Sequence, residues 1–230
     1  MSDDRRIELV LPPAPPPSEE LGAAVAHARP VRLWRPAREQ AAAVLFCAAW
    51  ALLVVGVIGP RADLPALPAL RLYAGGLAWV LVVVAAVAVV TWPAGRQVLP
   101  HPGLVRLATI VLPILAAAAA LLLLADAPGR TLEADPADAP LRIAHCLGSG
   151  LGIALLPLGV ILVRARNRLI ARPRWTGALV GVAAGSLSAL VLHFACAYGG
   201  ARHLLAGHGG ALLVGALLGA LVAPLVARLR

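Results

Sequence analysis

The sequence predicts an all-α integral membrane bundle of six transmembrane helices with both termini in the cytoplasm. Three observations lead there. Hydrophobic residues make up 60% of the 230-residue chain and charged residues only 13%, where a soluble domain carries roughly 25% charged residues. The apolar residues are gathered into runs of about 18 or more, the length that crosses a bilayer as a helix. Finally, all twenty basic residues are arginine, and nearly all of them fall between these runs.

Residues 1–40 are read as a separate cytoplasmic tail. Pro12, Pro13, Pro15, Pro16 and Pro17 make a polyproline-like spacer. Ser18 can cap a short helix whose first turn carries Glu19 and Glu20, which suit the positive helix start. Leu21, Ala24, Val25 and Ala28 recur at i, i+3, i+4 and i+7 and give it one apolar face. Arg32, Arg35 and Arg38 then surround Leu33 and Trp34. That segment fits a positive-inside flank with an interfacial tryptophan as well as it fits a docking surface. The polar residues before the first apolar run do not match a secretory signal peptide, so this run is expected to remain as an anchor.

Residues 41–230 form the membrane domain. Six spans are expected near Ala41–Gly59, Ala74–Trp92, Leu104–Ala125, Cys146–Val163, Trp175–Ala197 and His208–Ala227. Each covers about 30 Å at 1.5 Å per residue. Pro113 and Pro157 fall inside spans, where neighbouring helices can satisfy the carbonyls they free. An even number of spans puts both termini on one side, and fifteen of the twenty arginines share that side. The positive-inside rule makes it the cytoplasm. The net charge of +9 is thereby read as a topology signal and not as a nucleic-acid surface. Gly177, Gly181 and Gly185 in the fifth span, Gly215 and Gly219 in the sixth, and Gly148 and Gly152 in the fourth recur at every fourth position. Such ladders let helix backbones approach closely in lipid.

The chemistry is concentrated at the outer ends of the last three spans. His145 and Cys146 open the fourth span, Cys196 closes the fifth with His193 one turn below it, His203 follows in the loop, and His208 opens the sixth. Thiolate and imidazole suit zinc, cadmium or copper, and an oxidising compartment would equally permit a Cys146–Cys196 disulfide. Neither His-x-x-Cys nor His-x₄-His is specific, so interfacial polar residues and small buried cysteines fit the spacing too. Cys47 lies near the opposite end of the first span and is read as packing. No enzyme is expected. The LGSGLG segment around Ser149 lacks the first glycine of the rhomboid-protease G-x-S-G, with Leu147 in its place, and there is no P-loop or H-E-x-x-H.

Taken in order, the tail ARPVRLWRPAREQ, GPRADL after the first span, P-A-G-R after the second, Cys146, TGALVGVAAGSLSALVLHFAC in the fifth, and His203 and His208 resemble the NrsF-type bacterial membrane anti-sigma factors. The resemblance runs from about Leu21 to Leu221. It implies an inner-membrane protein that holds an extracytoplasmic-function sigma factor inactive through its cytoplasmic face. It further implies an outer cysteine pair, matched here by Cys146 and Cys196, tied to metal or oxidative stress. Leu21, Val25, Ala28, Arg32, Trp34 and Arg35 then become the expected sigma-docking residues. Cys146, Cys196, His193, His203 and His208 become the expected set for zinc or another thiophilic metal, with a Cys146–Cys196 disulfide as the other possibility. The alternative function is a small metal-handling or transport protein that uses the same outer His/Cys cluster as its substrate site.

Overall fold

The computed structural model describes residues 36–66, 69–91, 111, 139–166, 173–198 and 203–228. Helix α1 spans Pro36–Ile58, α2 Ala69–Thr91, α3 Ala139–Ala165, α4 Pro173–Ala195 and α5 Gly210–Arg228. A 3-10 turn at Leu64–Ala66 joins α1 to α2, and a π-helical turn at Leu204–Gly209 runs directly into α5. Among the described residues there is no strand. Five helices, α5 counted together with its π turn, are long and apolar enough to cross a membrane, where the sequence predicts six. The sixth, expected over 104–125, lies outside the described residues apart from Val111, which is helical. So do the tail residues Leu21, Val25, Ala28, Arg32, Trp34 and Arg35.

The helices begin and end where the backbone rules place them. Pro36, Pro140 and Pro173 sit at the starts of α1, α3 and α4, where a missing N–H costs nothing. Glu39 in the first turn of α1 faces the positive helix end. Gly59 ends α1 with φ of 88°, and its N–H returns to the Val55 carbonyl at 2.8 Å. Only glycine adopts that left-handed position without strain. Pro157 inside α3 cannot donate to the Ile153 carbonyl one turn back. Trp50 of α1 does so instead, its indole N–H reaching that carbonyl at 2.9 Å, so a neighbouring helix satisfies the freed group.

Helix α4 packs against all four of the others. Its spanning window is 72% buried against 11% for α1, which makes it the centre of the bundle. The seam between α4 and α5 is built from glycine. A Cβ placed on Gly177 or Gly181 would fall on the carbonyl oxygen of Gly219 or Gly215, and one on Gly185 would stand 2.6 Å from the Leu212 Cα. The ladder read in the fourth span behaves differently. Gly148 and Gly152 meet nothing within 4 Å, and the glycine of α3 that is packed is Gly150, whose Cβ would lie 3.0 Å from Ala211 and 3.2 Å from Leu192. Repetition at every fourth residue marks a face but does not say which face is covered. Leu213, Leu217, Leu221 and Leu225 of α5 are exposed, as a lipid-facing row would be.

The bundle has two distinct ends. Ala43, Val90, Ala165, Leu179 and Ala223 share one core cluster. The start of α1, the end of α2, the end of α3, the start of α4 and the end of α5 therefore lie together. Arg164 and Glu39 pair there at 2.9 Å. At the other end, the turn after α1 is tied to the end of α4 through the Arg61 N–H and the Phe194 carbonyl, at 2.8 Å. Helix α2 therefore finishes at the first end and α3 starts at the second.

Candidate metal centre

Three helices bring four donor side chains to the second end. Cys146 lies two turns inside α3, because that helix starts at Ala139, earlier than the apolar run suggests. Cys196 follows α4 directly, and its N–H still bonds the Leu192 carbonyl at 2.7 Å, which prolongs the helical path by one residue. The two sulfurs stand 3.3 Å apart as free thiols. His203 Nε2 lies 3.3 Å from the Cys196 sulfur. The donor atoms of Cys146, Cys196, His203 and His208 all fall within 4.8 Å of one another, and all four residues are buried.

The π turn is what puts both histidines there. Five residues along an α-helix amount to about 500°, which would leave the two rings roughly 140° apart. A π turn closes its hydrogen bonds five residues back, and the Gly210 N–H indeed reaches the Leu205 carbonyl. His203 and His208 are thereby brought to one side, their ring centroids 5.9 Å apart. The local sequence Ala206-Gly207-His208-Gly209-Gly210 holds three glycines and resists unwinding from the α-helix into this wider turn only weakly, since glycine contributes little to α-helical stability. Gly207 is needed for a second reason. A Cβ there would stand 3.3 Å from Cys146 Cβ, so a side chain would press the π turn a few tenths of an ångström away from α3.

His208 has both ring nitrogens buried and without a hydrogen-bond partner. A buried polar group in that condition costs about 1–3 kcal/mol. His203 stacks obliquely on Tyr198 at 5.4 Å, and Arg142 sits 4.8 Å from the same tyrosine ring. Below, Arg61 holds Asp63 through two 2.6 Å bonds and the Ala197 carbonyl at 3.1 Å. Its guanidinium thus caps the carbonyl end of α4 and anchors the backbone beside Cys196.

Not every residue expected at this site arrives. His193 turns toward α2, where Nε2 lies 3.1 Å from the Leu72 carbonyl and the ring meets Phe194 edge-on at 5.1 Å. Its i, i+3 relation to Cys196 leaves about 60° between them on the helix, enough to send the two side chains to different neighbours. His145 is exposed on α3, and Cys47 is buried in the larger core cluster, midway along α1. Sequence reasoning singled out GPRADL but not the capping role of Arg61, and it missed Gly207, Tyr198 and the π turn. Three glycines flanking a histidine just ahead of an apolar run were the available signal.

One comparison bears on this arrangement. The family described as negative regulator of sigma F, NrsF, matches residues 25–229. The chain belongs to the NrsF family. No curated protein and no solved structure matches it. The NrsF match takes in all five described helices and the four donors, and the family description makes a sigma factor the partner to look for.

Proposed function

We propose that this protein is a multi-pass inner-membrane anti-sigma factor that binds an extracytoplasmic-function sigma factor on its cytoplasmic side. A thiophilic metal or an oxidant arriving at the outer Cys/His group releases that factor. The observation that carries this reading is that one pair of helices bears both chemistries. Helices α3 and α4 hold Cys146 and Cys196 in contact at one end, and Arg164, Arg166, Arg168, Arg172 and Arg174 mark their connection at the other.

The course of the chain supports the sixth span. Helix α2 ends at one end of the bundle and α3 starts at the other, which favours a further crossing between them, and Leu104–Ala125 is the apolar stretch of that connection. Six crossings and the arginine distribution then favour cytoplasmic termini. The tail leads into α1, whose Glu39 pairs with Arg164, so the root of the tail touches the arginine-rich connection. Leu21, Val25, Ala28 and Trp34 supply the apolar anchors of the docking surface, the kind that dominate interface energy. Arg32 and Arg35 contribute mainly to association rate and salt dependence. Switching requires two arrangements of the bundle with different affinity for the sigma factor.

A transporter would use the donor group as a substrate site. Its usual mark is an ionisable residue in mid-span. Among the described residues the buried polar side chains outside the donor group are Ser186, Ser188 and His193, and none is acidic, which favours the regulator. The test is deletion of residues 18–40. The shortened protein should stay in the membrane, lose the co-purifying sigma factor and derepress its regulon. Full repression by the stably inserted deletion would refute tail docking.

A further inference from the structure

We propose that Cys146, Cys196, His203 and His208 together form a four-coordinate site for a divalent thiophilic cation of the zinc and cadmium class. This deepens the functional reading above by naming the ligand of the outer site and the residues that hold it. It rests on that reading only for its consequence in the cell.

The geometry is the first support. Zinc takes sulfur at about 2.3 Å and imidazole nitrogen at about 2.0–2.1 Å in a tetrahedron, which sets the donors roughly 3.3–3.8 Å from one another. The two sulfurs are 3.3 Å apart, Cys196 sulfur and His203 nitrogen are 3.3 Å apart, and no pair of donors exceeds 4.8 Å. Side-chain adjustments of about an ångström complete the tetrahedron, and no helix has to move far.

The second support is independent of the cysteines. His208 presents two ring nitrogens with no protein partner in a buried place, and its companion His203 directs Nε2 into the same space. A disulfide would join the sulfurs and leave the His208 nitrogens as they are. A cation uses one of them and removes part of that cost.

Charge decides the class of ion. Binding takes one proton from each thiol, so two thiolates and two neutral imidazoles carry a charge of two minus. A divalent cation makes the buried site neutral, whereas a monovalent or trivalent one leaves a net charge that burial penalises. The sulfur-and-imidazole set excludes calcium and magnesium, which take oxygen ligands. Because the donors come from α3, the end of α4 and the turn before α5, the cation ties three helices together at one end.

The experiment titrates Co²⁺ into the full-length, reduced, metal-free protein in detergent and then displaces it with Zn²⁺ or Cd²⁺. One equivalent of Co²⁺ should give the visible absorption of a tetrahedral ion together with thiolate-to-cobalt charge transfer. Cys146→Ser should remove most of the charge-transfer band. His208→Ala and His208→Gln should each weaken binding by more than the ~10–100-fold that loss of even an outer partner costs, in preparations that stay monodisperse. His193→Ala should bind as the parent does. No cobalt–thiolate band in the reduced parent overturns the site. So does an equal loss in His193→Ala, or a Cys146–Cys196 disulfide in protein freshly isolated from membranes. If cobalt fails to bind to protein that still carries its sigma factor, the site alone falls. Protein that binds cobalt but carries no sigma factor even in its metal-free, reduced state overturns the anti-sigma reading and leaves the site standing.

Discussion

Helices α4 and α5 meet in two ways, and the contrast between them suggests how a signal can move through the bundle. Along their length they meet backbone to backbone, with Gly177, Gly181 and Gly185 against Gly215 and Gly219 and no room for a single methyl group. At one end they contribute side chains to a common group, where Cys196 and the π turn with His203 and His208 face Cys146 of α3. Close-packed interfaces have discrete arrangements and do not deform gradually. The seam therefore holds α4 and α5 as one body, and the donor group is where α3 can change its relation to that body. The opposite end of α3 carries Arg164, bound to Glu39 at the root of the tail. Coupling measurements along the path from the donor group through α3 to the tail test whether the two ends communicate.

The contrast breaks most visibly at the seam. Gly181→Val should prevent α4 and α5 from closing, since overpacking a tight interface costs about 1–3 kcal/mol and more where backbone is struck. The expected result is loss of the monodisperse protein in detergent. Gly148→Ala, on the open face of α3, should leave thermal stability unchanged. If the two variants behave alike, the seam does not hold the bundle.

A smaller effect is expected where α1 grips α3. Trp50→Phe leaves the Ile153 carbonyl without a donor and should cost about 1–3 kcal/mol. Pro157→Ala restores an N–H one turn along α3, so the double variant should lose less than Trp50→Phe alone. A double-mutant cycle reads that coupling directly, and strict additivity would show that the indole bond is not what compensates for the proline.

The smallest effect on stability belongs to Glu39→Gln. Its ion pair with Arg164 is exposed on both sides, and such pairs are worth about 0–1 kcal/mol. Repression should nonetheless shift if the pair links α3 to the tail. A reporter for the sigma regulon that stays at its parental level in Glu39→Gln would remove this link from the path.

These comparisons also show how far the residues could be read without coordinates. Each described span was visible as an apolar run, but the helices start up to seven residues earlier, as α3 does at Ala139. Hydropathy registers apolar side chains, whereas helix starts depend on Pro36, Pro140 and Pro173, which carry little apolar signal. Topology alone gathered Cys146, Cys196, His203 and His208 at one end. It could not separate them from His193, because the choice between neighbouring helices depends on tens of degrees of rotation. The π turn was out of reach for a similar reason, since a helix of period 3.6 sets His203 and His208 on different faces.

The central claim is that the four-donor end controls what happens at the arginine-rich end. The most direct measurement compares a sigma-regulon reporter in cells carrying the parent chain, Cys146→Ser, Cys196→Ser, the double variant and Cys47→Ser, before and after exposure to zinc or cadmium. The parent and Cys47→Ser should respond. The two single outer variants and the double variant should lose the response to the same extent, because a shared site needs both sulfurs. Outer serine variants that repress and respond as the parent does, with both native thiols freely labelled from outside under every condition, would contradict the account.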